Sequence, residues 1–600
     1  LKNPDILEGT LPYISPEQTG RMNRVLDYRT DFYSLGVTFY ELLTNQLPFE
    51  ATDALELVHC HIAKQPVAPA LINSEIPPII SSLVMKMMAK TAEERYQSAW
   101  GMKADLEECL ERWQTRQNIT EFPLGRYDIA DKFQIPQKLY GRVVEIETLL
   151  TAFNRASSEA SELMLISGYS GVGKTALVRE IYQPITEKRG YFISGKFDQY
   201  QRNIPYSAVV NAFRELVKQL LTETEEKLNQ WREKLLAALG ANGRVIVEVI
   251  PEVELIVGKQ REIPELGPKE AENRFNVVFQ NFIQVFTKPE HPLALFIDDL
   301  QWADGASLKL ITLLVTSSEP GLFLIGAYRD NEVSATHLLS LSLNELAKTE
   351  AIINRIYLLP LSLAAVIQLI SETLKSTENK VKPLAELVLL KTGGNPFFLG
   401  QFLKSLAEEK LLTIDYTCPL EPYADGRSWG GWRWDLEQIE ARGFTDNVVE
   451  LMAGKLEKLP EVTREILKLA ACIGNQFELE TLAEVASKSL EEIIGILDVA
   501  VAESLVLSLG NLESITDSQF PINLPPFQGG PGGIFRSNSQ FPKYKFVHDK
   551  IQQAAYSLID DAEKPAFHYQ IGRLILANTP AEKIEEIGRA SCRERVCHRV

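Results

Sequence analysis

The residues best suited to chemistry lie in one short stretch, GYSGVGKT, at positions 168–175. Its glycines let the backbone curl so that consecutive N–H groups face one point, an arrangement that binds phosphate oxygens. Between a strand and a helix, the lysine of this pattern reaches the β- and γ-phosphates and the threonine hydroxyl binds Mg²⁺. An apolar run precedes the stretch and a helical pattern follows it. The predicted nucleotide ligands are Gly168, Ser170, Gly171, Gly173, Lys174 and Thr175.

Two adjacent carboxylates end the apolar run of PLALFIDDLQWAD at 292–304. Residues 293–297 have the continuous apolar composition of a buried parallel strand. At its carboxyl end we expect Asp298 to hold Mg²⁺ through water and Asp299 to orient or deprotonate an attacking water. The alternative is a strand that merely ends in two solvated acids, and the phosphate loop upstream argues against it.

A third strand pattern, GLFLIGAYRDNEV at 321–333, has Arg329 at its end. Two interpretations of this arginine stay open: it senses the γ-phosphate across the site, or it forms a surface salt bridge. Together the three strands and the loop predict an α/β P-loop NTPase core with a parallel sheet. The cofactors implied are ATP or ADP with Mg²⁺.

Two flanking motifs point to one branch of ATPases. IPQKLYGRVVEIETLLTAF at 135–153 precedes the phosphate loop, and TGGNPFFLGQFL at 392–403 follows the third strand. Both resemble elements of signal-transduction ATPases with numerous domains (STAND). The resemblance implies that Tyr140 and Arg142 flank the base and that Pro396, in a helical lid, faces the adenine. Pro396 is also compatible with an ordinary first helical turn.

The stretch at 445–507 has helical apolar spacing throughout and resembles the winged-helix domain that follows the lid in this class. YKFVHDKIQQAAYSLI, at 544–559, opens a run that resembles helical repeats. The resemblance implies a contact between His548 and the phosphate of bound ADP. The alternative, a purely structural histidine ahead of a helix, stays open.

The amino-terminal residues 1–112 resemble the carboxy-terminal half of a serine/threonine kinase domain. The resemblance rests on EGTLPYISPEQ at 8–18, DFYSLGVTFYELLTNQLPF at 31–49 and RYQSAWGMKADL at 95–106. It implies that Arg95 pairs with Glu17 and that Asp31 braces the catalytic loop. The Gly-rich loop, the phosphate-pairing lysine and the His-Arg-Asp and Asp-Phe-Gly motifs are absent. We therefore expect a fragment that transfers no phosphate to protein by itself.

The order of these parts resembles the multidomain bacterial, cyanobacterial-type kinases that carry a fused ATPase. The resemblance implies a Mg-ATP-driven switch: ADP locks lid and winged helix onto the core, and exchange to ATP opens them. Implied partners are the nucleotide, neighbouring signalling modules and a nucleotide-dependent oligomer. The alternatives are a DNA-associated initiator or remodelling ATPase, disfavoured by the acidic helix at 489–503, and a passive nucleotide-binding scaffold.

The whole composition fits a multidomain cytoplasmic protein. The chain has 600 residues, 45% of them hydrophobic, and a net charge of −18, which argues against nucleic-acid partners. Six cysteines without a CxxC pair fit a reducing compartment, and no apolar run is long enough for a membrane span. One back-translation of residues 587–596 resembles a sequencing adapter, so we interpret 587–600 as read-through.

The predicted boundaries are 1–112 for the kinase part, 113–134 for a linker, 135–375 for the ATPase core, 376–440 for the lid with a hairpin, 441–512 for the winged helix, 513–543 for a disordered insert, 544–586 for the start of the helical repeats and 587–600 for the read-through.

Overall fold

The computed structural model describes residues 10–19, 26–51, 54–116, 119–126, 128, 133–197, 205–221, 225–264, 266–316, 320–415, 431–441, 448–503, 505–508 and 543–577. One compact unit comprises the described residues 10–19 and 28–441, and a second comprises 26–27 and 448–577. Most of the predicted insert and all of the predicted read-through lie outside the described residues, and those two interpretations stay predictions.

The first unit begins with a helical segment built around one central helix. Its helices are α1 (Arg29–Thr44), α2 (Ala54–Ala63), α3 (Pro69–Ile72), α4 (Pro78–Met87) and α5 (Ala99–Arg116). Tyr33 and Val37 of α1 are completely buried and pack towards α4. A Cβ on Gly36 would lie 2.8 Å from the Cβ of Met87, so only glycine allows these two helices to approach this closely.

A buried ion pair joins the residues ahead of α1 to the stretch between α4 and α5. The Arg95 guanidinium meets the Glu17 carboxylate through two hydrogen bonds, at 2.6 and 2.8 Å. The remaining donors of Arg95 bond the carbonyls of Ala89 and Arg29, and Thr30 donates to Glu17. The pairing of Glu17 with Arg95 that the kinase resemblance implied is confirmed.

Part of the predicted linker lies against α5. The N–H of Gly125 donates to Asp105 on α5 at 2.6 Å. Asp128 accepts from the N–H groups of Gln97 and Ser98, immediately ahead of α5, at 2.7 and 2.8 Å. The helix itself continues to Arg116, beyond the predicted boundary at 112, which stays a prediction.

A parallel sheet forms the centre of the predicted ATPase core. In the described part of the chain its strands are β1 (Glu162–Ser167), β2 (Tyr191–Lys196), β3 (Leu293–Asp298), β4 (Leu322–Tyr328) and β5 (Ile352–Tyr357), in the order β2-β3-β4-β1-β5. All neighbouring pairs are parallel. The parallel sheet predicted from the apolar runs is confirmed.

Helices cover both faces of this sheet, because successive strand side chains point to opposite sides. Met164 and Ile166 face one apolar cluster and Leu163 and Leu165 face the other. The helices are α6 (Val143–Ser158), α7 (Lys174–Val178), α8 (Tyr182–Glu187), α9 (Ser207–Leu220), α10 (Glu225–Leu239), α11 (Gly243–Val249), α12 (Val253–Val257), α13 (Pro268–Gln284), α14 (Gly305–Thr316) and α15 (Leu338–Leu346).

The lid follows the sheet and consists of helices and a hairpin. Its elements are α16 (Leu363–Leu374), α17 (Glu378–Thr392), α18 (Pro396–Glu408), β6 (Leu412–Asp415), β7 (Gly431–Trp434) and α19 (Leu436–Ala441). Strands β6 and β7 pair antiparallel, as predicted for the hairpin. Helix α16, which ends before the predicted boundary at 376, packs on α17, and that boundary stays a prediction.

The second unit combines helices with a small antiparallel sheet. Its elements are α20 (Val448–Glu457), α21 (Glu461–Ile473), β8 (Gln476–Glu478), α22 (Leu479–Ala486), α23 (Leu490–Ala502), β9 (Val506–Ser508), β10 (Lys543–Phe546), α24 (Asp549–Ser557) and α25 (Lys564–Ala577). Strand β10 lies between β8 and β9. The predicted boundary at 544 is therefore wrong, because it cuts through a strand of this sheet.

Across the described residues, none of the helices combines the length and the apolar composition that crossing a membrane requires.

Candidate nucleotide-binding site

The phosphate loop joins β1 to α7 through three glycines with positive φ. The φ angles of Gly168, Gly171 and Gly173 are +149°, +80° and +102°. These angles are rarely adopted by residues with a side chain. At Gly168 space is limiting as well, because a Cβ would lie 2.6 Å from the carbonyl oxygen of Leu358. The local sequence thus fixes the curl of the loop.

Lys174 lies inside this curl rather than at the protein surface. Its ammonium donates to the carbonyls of Gly168 at 2.7 Å and Tyr169 at 3.0 Å. Burial lowers the pKa of Lys174, and the nearby carboxylates of Asp298 and Asp299 oppose that shift. The loop therefore contains a buried cation next to its backbone N–H groups.

The predicted metal ligands Thr175 and Asp298 meet at the carboxyl edge of the sheet. The Thr175 hydroxyl donates to Asp298 Oδ2 at 3.3 Å. Burial raises the pKa of the Asp298 carboxyl, and the negative charge of Asp299 raises it further. A hydroxyl and a carboxylate are oxygen ligands of the kind that Mg²⁺ prefers, and a cation here would relieve the crowding of the two acids. The residues present fit a magnesium ion.

Asp299 follows β3 in a left-handed backbone conformation, with φ +55°. Its buried carboxylate is 3.0 Å from the Lys196 ammonium and 3.4 Å from Nε of Arg329. The amide of Gln301 also donates to it, at 2.8 Å. The predicted catalytic carboxylate is therefore held by three side chains from three strand ends or the turns that follow them.

Arg329 belongs to this cluster and not to the surface. Only 7% of the residue is exposed, and its guanidinium lies 4.9 Å from the centre of the Trp302 ring. It also pairs with Glu332 at 3.0 Å. The salt bridge of the alternative interpretation is present, with Glu332, but the arginine itself is buried beside Asp299. Sensing of the γ-phosphate stays a prediction.

The two residues predicted to flank the base are buried on the other side of β1. The Tyr140 hydroxyl donates to Glu372 of the lid helix α16 at 2.8 Å. Arg142 donates to the carbonyl of Leu359, which follows β5, and pairs with Glu145 at 3.3 Å. Both side chains thereby connect the segment ahead of α6 to the segment that leads into the lid. Their contact with adenine stays a prediction.

The lid reaches the phosphate loop directly through the start of α18. The Asn395 amide donates to the Ser170 carbonyl at 2.9 Å, and the N–H of Phe397 donates to the Gly171 carbonyl at 3.3 Å. Pro396 lies between these two contacts, at the first position of α18. The predicted lid residue is therefore adjacent to the phosphate loop.

His548 lies in the second unit, where it precedes α24 and its Nδ1 accepts from the N–H of Lys550 at 3.0 Å. This is the helix-capping role of the structural alternative. The contact with ADP stays a prediction.

No role was predicted for three residues of the site, Lys196, Gln301 and Asn395, although Gln301 and Asn395 stand within the motifs at 292–304 and 392–403. Lys196 ends β2 in register with Asp298, which only the strand order reveals. Gln301 bonds both Asp299 and the N–H of Arg329, and thus joins the turns after β3 and β4. The available signal for Asn395 was its place before Pro396, which is typical of any helix start.

Two family models match the chain. Residues 138–325 match the AAA ATPase domain, and residues 2–107 match the protein kinase domain. The chain joins a protein kinase segment to an AAA-type P-loop ATPase domain. The predicted parallel-sheet NTPase within a multidomain chain is confirmed, and so is the kinase relationship of the amino-terminal segment.

Similar proteins include signalling kinases of several kinds. Hybrid signal transduction histidine kinase G of Dictyostelium discoideum is 33% identical over 94% of this chain and 19% of its own length. Serine/threonine-protein kinase PksC of Streptomyces coelicolor is 40% identical over 17% of either protein. The chain spans 19% and 24% of the lengths of the two histidine kinases that match most of it.

Among solved structures, a STAND protein with a tetratricopeptide repeat sensor from Pyrococcus horikoshii matches with a TM-score of 0.35 and 13% identity. That match covers 74% of this chain and 47% of the other.

Proposed function

We propose that the chain binds Mg-ATP and Mg-ADP at the loop of residues 168–175 and acts as a nucleotide-dependent switch in a signalling protein. The observation that carries the proposal is the convergence of a buried lysine, a hydroxyl and two carboxylates at one edge of the sheet. Lys174, Thr175, Asp298 and Asp299 come from segments more than a hundred residues apart, yet Thr175 and Asp298 are in hydrogen-bond contact.

Phosphate binding falls to the loop itself. We expect the Lys174 ammonium to exchange the carbonyls of Gly168 and Tyr169 for phosphate oxygens, because charge-assisted hydrogen bonds are the stronger kind. Thr175 and Asp298 would hold Mg²⁺, which neutralises phosphate charge when bound. The glycines adopt the positive φ angles of the loop without strain, so its N–H groups are in place before the ligand arrives.

Hydrolysis, if Asp299 promotes it, is expected to be slow. A carboxylate accepts a proton from water only when its oxygens are free to approach that water. Here Lys196, Gln301 and Arg329 all hold the Asp299 carboxylate. We therefore propose that the nucleotide acts mainly by being bound, with ADP holding the lid against the loop and ATP releasing it.

The signalling role is supported by what surrounds the ATPase. The kinase match at residues 2–107 and the relatives named as histidine and serine/threonine kinases indicate a pathway based on protein phosphorylation. We propose that other signalling modules of a longer protein are its partners. We also propose a cytoplasmic location, which the buried thiols of Cys60 and Cys109 support.

The test is calorimetry of the full chain with Mg-ADP and with a non-hydrolysed ATP analogue. For Lys174→Ala we expect the dissociation constant to rise about 100-fold, because a buried charge-assisted contact to phosphate is lost. Lys309→Ala is the matched control, since this lysine lies on α14 at the surface and pairs with Glu272. Equal affinity in the Lys174→Ala variant, or no magnesium-dependent heat in the unmodified chain, would refute the site.

A further inference from the structure

We infer that Asn395 is a positioning residue that ties the lid to the phosphate loop and sets the direction of a phosphate-binding N–H group. The inference rests on the proposed function and adds a physical link between phosphate and lid. Neither the phosphate-loop pattern nor the family matches assign a role to this side chain.

The amide of Asn395 serves two elements at once. Its oxygen accepts from the N–H groups of Phe397 and Phe398 at 3.1 and 3.3 Å, which caps α18. Its nitrogen donates to the carbonyl of Ser170 in the phosphate loop at 2.9 Å. These partners also fix which end of the amide is oxygen, because two donors lie on one side and an acceptor on the other.

The contact with Ser170 determines where the next N–H group points. In a planar trans peptide the carbonyl and the following N–H point in opposite directions. Because the lid bonds the Ser170 carbonyl, the N–H of Gly171 is directed away from the lid. The lid thereby sets the direction of the N–H group of the predicted phosphate ligand Gly171, although Asn395 itself does not contact the phosphate.

A second bond and close packing reinforce this connection. The N–H of Phe397 donates to the Gly171 carbonyl at 3.3 Å, so both carbonyls of consecutive loop peptides are bonded to the start of α18. A Cβ on Gly171 would lie 2.9 Å from Asn395 Oδ1 and 3.1 Å from the Cβ of Phe397. A change in the loop when phosphate binds must therefore move the start of α18 or break these bonds.

Only an amide of this length fills both roles. A serine at 395 keeps an oxygen for the helix cap but lacks the donor that reaches Ser170. An aspartate keeps the cap as well, but it presents a carboxylate to a carbonyl and to the incoming phosphate. These two variants remove the link to the loop while the cap of α18 is retained.

The experiment compares Asn395→Ser and Asn395→Asp with the unmodified full chain. We expect the Kd for Mg-ADP to rise about fivefold in Asn395→Ser, the effect of one lost hydrogen bond, and further in Asn395→Asp. A second readout is hydrogen exchange of α18. Mg-ADP should slow exchange over Pro396–Glu408 in the unmodified chain, and this protection should be lost in both variants.

The matched control is Ser362→Ala. Ser362 caps the lid helix α16: its hydroxyl accepts from the N–H of Ala365 at 3.4 Å, and its carbonyl accepts from the N–H of Val366 at 3.0 Å. This variant weakens the lid without touching the loop, so affinity for Mg-ADP and the protection of α18 should both be retained. Loss of protection in Ser362→Ala as large as in Asn395→Ser would overturn the inference, because general weakening of the lid would then explain the result.

The inference and the proposed function can fail separately. If the unmodified chain binds Mg-ADP and Asn395→Ser matches it in affinity and in the protection of α18, the link is refuted and the nucleotide site stands. If the unmodified chain binds no nucleotide, both are refuted.

Discussion

Two buried carboxylates, Glu17 and Asp299, each meet an arginine, but they do so in different ways. Glu17 and Arg95 form two short hydrogen bonds, and the other donors of Arg95 are used by backbone carbonyls. Asp299 shares its carboxylate among Lys196, Arg329 and Gln301 at 2.8 to 3.4 Å. In the pair of Glu17 and Arg95 each charged group has its partner, whereas at Asp299 one aspartate in a left-handed conformation contacts two cations.

The difference separates a structural ion pair from a candidate functional one. Burial alone would raise the pKa of Glu17, but the hydrogen bonds and charge of Arg95 hold it below its usual value. Such a pair gains nothing from a ligand. At Asp299 the cations Lys196 and Arg329 are shared with further carboxylates, since Arg329 also pairs with Glu332 and Lys196 acts on Asp298, so a bound phosphate with its metal ion would change the pairing within the cluster.

The largest expected loss of stability comes from replacing each arginine, Arg95 and Arg329, with alanine and comparing the two variants. Arg95→Ala leaves Glu17 charged and buried without its partner, which costs about 3–5 kcal/mol. Arg329→Ala leaves Asp299 with Lys196 and Gln301, so we expect a loss of about 1 kcal/mol. Local stability is measured by hydrogen exchange of α1 for the first variant and of β4 for the second.

Equal losses at the two sites would contradict the contrast, because Asp299 would then depend on its arginine as strictly as Glu17 does. For nucleotide affinity we expect the opposite order, with the larger effect at Arg329. Arg329→Ala should weaken the binding of an ATP analogue, whereas a folded Arg95→Gln variant should bind it as the unmodified chain does.

The sequence predicted the parts of both regions that depend on local patterns or on a strong motif. The loop conformation follows from its glycines, and the apolar runs of β1, β3 and β4 follow from burial on both faces. The pair of Glu17 with Arg95 followed from a family resemblance, since a separation of 78 residues carries no local signal.

What the sequence could not predict depends on pairing between distant segments. Lys196 looks like any lysine at a strand end, and only the neighbouring position of β2 and β3 brings it to Asp299. Strand β10 enters the sheet of the second unit after the long stretch of residues 509–542. Such long-range pairings are set by burial and sheet order, which a single sequence does not reveal.

A second test measures how the stability of the region around Glu17 and Arg95 depends on pH. The Arg95 guanidinium lies 5.0 Å from the centre of the Tyr33 ring, and the Tyr33 hydroxyl bonds His61 at 3.0 Å. Burial lowers the pKa of His61 to about 4, and the charge of Lys90 lowers it as well. The unfolded histidine takes up a proton near pH 6.5, whereas the folded one stays neutral until about pH 4.

Stability of the kinase segment should therefore fall as pH drops from about 6.5 to about 4, by about 3 kcal/mol in total. Hydrogen exchange of α2, corrected for the intrinsic pH dependence of amide exchange, measures the loss. His61→Gln, which cannot titrate, should remove most of this pH dependence. The same loss of stability in His61→Gln would show that another group is responsible.

The smallest expected effect concerns Lys196, the cation at the end of β2 that no sequence motif indicates. Its ammonium lies 3.0 Å from Asp299 and, with Arg329, adds positive charge where the γ-phosphate is expected. Lys196→Met removes one of these charges and retains the length of the side chain. Because ATP carries more negative charge than ADP, we expect the preference for a non-hydrolysed ATP analogue over ADP to fall about fivefold, equivalent to ~1 kcal/mol.

Calorimetry with the two nucleotides measures the ratio of the two affinities. The control is Lys188→Met, because Lys188 lies over the Phe153 ring. An unchanged ratio in Lys196→Met would mean that Lys196 only neutralises Asp299. The cluster around Asp299 would then be a structural ion pair, like that of Glu17 and Arg95.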